Sequence, residues 1–147
     1  MSLGKAIFSG LVGACTVTLL NESVRQFVKD APRLEVLGKR AVGIPLMKSG
    51  FEPPKGDNLY WMTMAGDIAA NSLYYGLVGL GAAENALQNG AILGATAGVG
   101  AVVLPGSLGL GDEPTARTKQ TELMTVAWYL AGGLAAAAAY QYLSDES

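Results

Sequence analysis

The sequence contains, at residues 85–104, the run NALQNGAILGATAGVGAVVL, which has no charged side chain. About 20 mostly apolar residues are needed for a helix to cross roughly 30 Å of hydrocarbon. This run therefore predicts a membrane-spanning helix, and Pro105 is expected to help end it. Three further stretches have a suitable length and composition, and we predict spans at residues 5–28, 59–82 and 121–143.

The composition of the whole chain agrees with a membrane protein. Hydrophobic residues make up 50% of the 147 residues and charged residues only 15%, against about 25% charged in soluble proteins. The 20 glycines fall mostly inside apolar stretches, where membrane helices tolerate them. The prediction is an all-α integral membrane bundle of about four transmembrane helices, forming a single domain over residues 1–147.

Several classes of function are excluded by the residues that the sequence lacks. It has no histidine and one cysteine, Cys15, so an intrachain disulfide, a Cys/His zinc site and a histidine-ligated haem are ruled out. The net charge of −2 disfavours a nucleic-acid binder, which normally has a basic face. We predict no cofactor, no metal site and no catalytic residue.

Basic residues are concentrated in two of the predicted loops, and cytoplasmic loops carry the excess of Lys and Arg. The first loop contains Lys29, Arg33, Lys39, Arg40, Lys48 and Lys55, and the third contains Arg117 and Lys119. Four spans place these loops on one side of the membrane, with both termini outside the cytoplasm. We predict the inner membrane of a bacterium; only Lys5 opposes this orientation.

The first loop is also rich in apolar residues between Pro32 and Pro53. This mixture is typical of a short amphipathic segment on the inner leaflet. An ordered loop packed on the bundle explains it equally well.

Glycines recur at intervals of four in the third predicted span, at Gly90, Gly94 and Gly98. The fourth span has Gly132 and Gly133, followed by five alanines at positions 135–139. Small residues at this spacing allow helix backbones to approach closely. We predict that these glycines pack helices together, either within the bundle or between protomers.

Four polar residues form the candidate site, because ionisable groups inside a membrane are costly and often functional. Glu22 and Arg25 are three residues apart in the first span, and Asp67 and Asn71 are four apart in the second. The functional interpretation is an ion or proton path, with Arg25 the partner or gate of Asp67. The structural interpretation is a Glu22–Arg25 salt bridge and an Asp67 that is protonated or hydrogen-bonded.

The sequence contains no family motif, so function is weighed by class. We predict a non-enzymatic membrane component that self-associates or docks with other membrane subunits, with the lipid bilayer and a homo-oligomer as partners. The alternative is a small channel or transporter that uses the intramembrane polar group. A membrane enzyme acting on lipid and a soluble helical protein are less favoured.

Overall fold

The computed structural model describes residues 2–147, and this part of the chain is all-helical, with 80% of residues in helices and no strand. Its α-helices are α1 (Leu3–Val24), α2 (Leu34–Lys48), α3 (Asp57–Gly76), α4 (Ala86–Ser107), α5 (Glu113–Ala116) and α6 (Lys119–Asp145). Two 3₁₀ turns, Leu77–Leu80 and Ala83–Asn85, connect α3 to α4.

Three helical segments are long and apolar enough to cross a membrane. They are Leu3–Val24, Ala83–Ser107 and Lys119–Asp145, with mean hydropathies of 1.6, 1.5 and 1.4. The predicted span at residues 59–82 corresponds to α3 and its following 3₁₀ turn, which is not among these three. Asp67 and Asn71 lower the hydropathy of α3, although the helix itself is long enough.

The long helices pack in the order α4, α6, α1, α3. Neighbours are antiparallel: Gly90 lies against Gly133, whereas Gly98, two turns later, lies against Val126. The bundle therefore has two ends. We call the end with residues 25–56 and 108–118 the loop end, and the end with residues 77–85 and both termini the terminal end.

The five glycines singled out above lie where α6 meets its neighbours within the chain. A Cβ on Gly94 would be 2.6 Å from the carbonyl oxygen of Tyr129 and 2.7 Å from the Cα of Leu130. One on Gly98 would be 2.7 Å from the Cα of Val126, and one on Gly132 would be 3.0 Å from the carbonyl oxygen of Gly13. Gly90 and Gly133 face each other's carbonyl oxygens. The helices approach too closely for any side chain at these positions.

Pro105 lies inside α4, which continues to Ser107, so the expectation that this proline helps to end the helix at Leu104 is wrong. Proline has no N–H and leaves the carbonyl four residues earlier without its helical donor. That carbonyl belongs to Ala101, and the buried Thr115 hydroxyl donates to it at 2.7 Å. The helix can continue because a side chain from α5 replaces the missing donor.

The first and third loops are bound to each other at the loop end. Arg117 donates to the carbonyl oxygens of Lys29 and Ala31 at 2.8 and 2.6 Å, and Arg40 pairs with Glu113 at 3.0 Å. The hydrogen bond from the Arg40 guanidinium holds the pKa of Glu113 below its ordinary value. These contacts order both loops across a long separation in sequence.

Helix α2 occupies the apolar part of the first loop and packs on α3. Gly38 lies directly against the Thr63 side chain, and the Lys39 ammonium group is 5.5 Å from the centre of the Tyr60 ring. The segment is therefore an ordered helix seated on the bundle, and α2 covers the loop end of α3.

Candidate functional site

The loop-end half of α1 carries a polar stripe. Thr18, Asn21, Glu22 and Arg25 follow the spacing i, i+3, i+4, i+7, which places them on one face of a helix that Arg25 ends. Asn21 is buried and the other three are partly buried. This face is directed towards other protein elements.

Helix α3 carries a matching stripe. Tyr60, Thr63, Asp67 and Asn71 follow the spacing i, i+3, i+7, i+11, again on one helical face. Asp67 lies near the middle of α3, about 15 Å from either end at 1.5 Å per residue. It is the most deeply placed carboxylate on the two stripes.

The two stripes face a common cavity with a volume of about 20 Å³ between α1, α2 and α3. The cavity has room for about one water-sized guest. Its lining consists of Thr18, Asn21, Glu22, Leu34, Glu35, Tyr60, Thr63, Met64 and Asp67. The structure thus brings Glu22 and Asp67 to one site.

Arg25 is held at the edge of this cavity by two carboxylates. Its guanidinium binds Glu22 at 2.7 Å and lies 3.7 Å from Glu35. The side chains of Glu22 and Glu35 are 23% and 11% exposed, so both are largely removed from solvent. One cation therefore offsets one of the two negative charges that these glutamates carry.

Asn21 connects α1 to the start of α2. Its side-chain amide donates to Glu35 at 3.3 Å, and its side-chain oxygen accepts the Leu34 N–H at 3.3 Å. These bonds, with the Arg25 pair, hold Glu35 over the cavity.

Asp67 is half-buried and has Asn71 as its hydrogen-bond partner, with 3.0 Å between the amide nitrogen and one carboxylate oxygen. Arg25 makes its ion pairs with Glu22 and Glu35. The structure therefore does not make the pair between Arg25 and Asp67 that the functional interpretation of the sequence predicted. Asp67 has no cation within salt-bridge distance among residues 2–147.

Two threonine hydroxyls at the cavity lack a hydrogen-bond partner within the described chain. They are Thr18 Oγ1 and Thr63 Oγ1, and both atoms are buried. Helical threonines usually return this bond to the carbonyl four residues earlier. Thr16 does so, donating to Val12 at 2.8 Å. Thr18 and Thr63 make no such bond, and both residues line the cavity.

Sequence reasoning missed Glu35, Thr18, Thr63, Asn21 and Tyr60 as members of this site. Helical spacing could have identified four of them, because Thr18 and Asn21 share a face of α1 with Glu22, and Tyr60 and Thr63 share a face of α3 with Asp67. No sequence pattern links Glu35 to this site, because Glu35 lies on α2 and only the fold brings α2 onto the ends of α1 and α3.

Within residues 2–147 no three Asp, Glu or Cys side chains come close enough to hold a metal ion together. The chemistry available at the cavity is that of hydroxyl, amide and carboxylate oxygens. Comparison with known proteins finds no match to a family model, a curated protein or a solved structure. The structure shows a helical protein with three candidate membrane-spanning helices.

Proposed function

We propose that this chain is a four-span integral membrane protein that carries a small cation, a proton or a metal ion, by way of the cavity between α1, α2 and α3. The observation that supports the proposal most directly is that Glu22 and Asp67, from two different helices, line one small cavity inside the bundle. Intramembrane ionisable groups that face the interior of a bundle commonly mark ion or proton pathways.

The connection between α1 and α4 supports α3 as the fourth span. Both α1 and α4 are antiparallel to α6, so they are parallel to each other. The chain leaves α1 at the loop end and enters α4 at the terminal end. If α1 and α4 cross the bilayer, the segment between them must also cross it, and α3 with its 3₁₀ turn is the helix that does so.

Packing along α3 supports the same conclusion. Gly10 of α1 lies against the backbone of Ser72 and Gly76, and Thr18 and Asp67 line the cavity further along the same helix pair. Helix α3 therefore shares the depth of α1 over most of its length. Its polar residues on the cavity side are shielded from lipid by α1 and α2.

The loop end is the cytoplasmic end in this proposal, with both termini on the other side of a bacterial inner membrane. Every Lys and Arg except Lys5 lies at the loop end or on the residues that border it, as the bias of cytoplasmic loops requires.

The proposal is tested by reconstituting the purified protein in liposomes and measuring cation and proton flux under an imposed gradient. Asp67→Asn keeps the size of the side chain and removes its charge, and we expect it to abolish flux with assembly intact. Asp57→Asn is the matched control, because Asp57 is an exposed carboxylate on the same helix. Normal flux through the Asp67→Asn protein, or no flux through the wild type, would refute the proposal.

Docking into a larger membrane assembly is the second candidate function. Ile92, Val99 and Val103 are all more than half exposed, and their spacing places them on one face of α4. The glycine faces are already occupied inside the chain, so self-association would have to use a face such as this one. A monomer in mild detergent by native mass spectrometry, with no co-purifying subunit, would count against this candidate.

A further inference from the structure

We propose that the cavity between α1, α2 and α3 binds a single sodium ion through the carboxylate of Asp67 and the hydroxyl oxygens of Thr18 and Thr63. This inference rests on the proposed function of the same cavity and names its ligand. The site combines one charged and two neutral oxygen donors from two helices.

The two hydroxyls are the observation that points to a ligand. Thr63 is only 6% exposed, and neither its hydroxyl nor that of Thr18 has a partner in the described chain. A buried polar group without a partner is costly, so such groups are nearly always bonded to protein, water or a ligand. Both residues line the cavity that Asp67 also lines, so a guest there can satisfy all three.

The chemistry of the lining selects a hard cation. Apart from the sulfur of Met64, the polar atoms that the lining side chains offer to a ligand are oxygens. The amide nitrogen of Asn21 is already engaged, because it donates a hydrogen bond to Glu35. Oxygen donors suit hard cations such as sodium, magnesium and calcium. A bound proton requires only the carboxylate and leaves both threonine oxygens without a function.

Size and charge then favour a monovalent ion over a divalent one or an organic molecule. A cavity of about 20 Å³ is far below the roughly 300 Å³ of pockets for organic ligands. Calcium takes 6–8 oxygen ligands, usually including several carboxylates, and no three carboxylates of residues 2–147 are grouped closely enough for that. Because Arg25 pairs with Glu22 and Glu35, Asp67 is the lining carboxylate without an ion pair. One carboxylate and two hydroxyls are too few donors for a divalent ion that takes six to eight oxygens.

The inference is tested by equilibrium binding of radioactive sodium to the full chain in detergent, with choline chloride maintaining the ionic strength. We expect saturable binding of one ion per chain, lost in Asp67→Asn. Thr18→Val and Thr63→Val each remove one ligand at nearly constant volume, and each should weaken binding about tenfold. Thr16→Val is the matched control on the same helix, because the Thr16 hydroxyl is already bonded to Val12.

Thr63→Ser guards against a folding defect, because serine retains the oxygen. It should bind sodium within about threefold of the wild type while Thr63→Val does not. Wild-type protein without saturable sodium binding would overturn the inference. Equal affinity in Thr63→Val, Thr18→Val and the wild type would overturn it as well.

Binding and flux together separate this inference from the proposed function. Asp67-dependent proton flux in sodium-free buffer, from a protein that binds no sodium, would overturn the sodium site and leave the proposed function standing. Saturable sodium binding with the expected variant pattern, but no flux in liposomes, would support the site and overturn the proposed transport.

Discussion

Thr115 shows how one side chain can decide where a helix ends. It is fully buried, and its hydroxyl donates to the Ala101 carbonyl that Pro105 cannot serve. Its own carbonyl oxygen accepts the Thr125 hydroxyl at 2.9 Å, which joins α4, α5 and α6. Because the donor lies ten residues after the proline, no local rule of helix termination contains it.

Replacing Thr115 by valine should therefore destabilise the protein. Valine keeps the shape but leaves the partly buried Ala101 carbonyl without its donor, and an unpaired buried acceptor costs about 1–3 kcal/mol. The change is measured as the free energy of unfolding in detergent by a denaturant titration.

Two controls accompany this prediction. Thr115→Ser retains the donor and should recover most of the lost stability. Thr96→Val changes an exposed threonine on α4, the helix that contains Ala101, and should have little effect. Equal stability of Thr115→Val and the wild type would show that the Ala101 carbonyl does not need this donor.

At the scale of elements, the backbones of α4 and α6 approach each other closely, with small residues at the crossing. A Cβ at Gly94 would overlap backbone atoms on α6, which cannot move as a flexible side chain can. A Cβ at Gly100 of the same helix would be in ordinary contact, 3.5 Å from the end of the Leu104 side chain. The two glycines differ in environment although they lie in the same apolar run.

Gly94→Ala should destabilise the pairing of α4 with α6, because overpacking against a rigid neighbour typically costs about 1–3 kcal/mol. Gly100→Ala should be neutral or slightly stabilising, since alanine is the better helix former by up to about 1 kcal/mol. Unfolding in detergent and protease sensitivity of the loop between α4 and α6 measure both variants.

The Gly94 result also distinguishes the two interpretations of the glycine pattern. A destabilised monomer supports packing within the chain. A stable chain that has lost only its oligomeric state would instead show that Gly94 serves contacts between protomers.

At the scale of the whole molecule, the two ends of the bundle differ in charge and in the length of their connections. The loop end contains α2 and α5 and is tied together by Arg40, Arg117 and Thr121, the last donating to the Asp30 carbonyl at 2.7 Å. The terminal end has short turns, and Lys5 meets Ser147 there. Four crossings would place these two ends on opposite sides of a membrane.

This topology is testable by labelling single cysteines in intact cells, starting from a Cys15→Ser protein. Because both residues are exposed, Lys48→Cys should report the loop end and Glu84→Cys the terminal end. A membrane-impermeant maleimide should label position 84 from outside, and position 48 only after the cells are permeabilised. Labelling of both positions from outside would contradict a crossing by α3.

The sequence alone was sufficient for the all-helical class and for three apolar helices, because hydropathy and run length are local properties. The polar stripes are also visible in the sequence, because helical spacing places Asp67 and Thr63 on one face of α3 and Glu22 and Thr18 on one face of α1. The Glu22–Arg25 pair was one of the interpretations drawn from the sequence, because the two residues are three apart on one helix. Only the tertiary structure decided that Glu35 joins the stripes and also pairs with Arg25, that Arg25 does not pair with Asp67, and that Pro105 lies within a helix. Each of these depends on residues distant in sequence, whose approach is set by how the helices pack and not by the residues beside them.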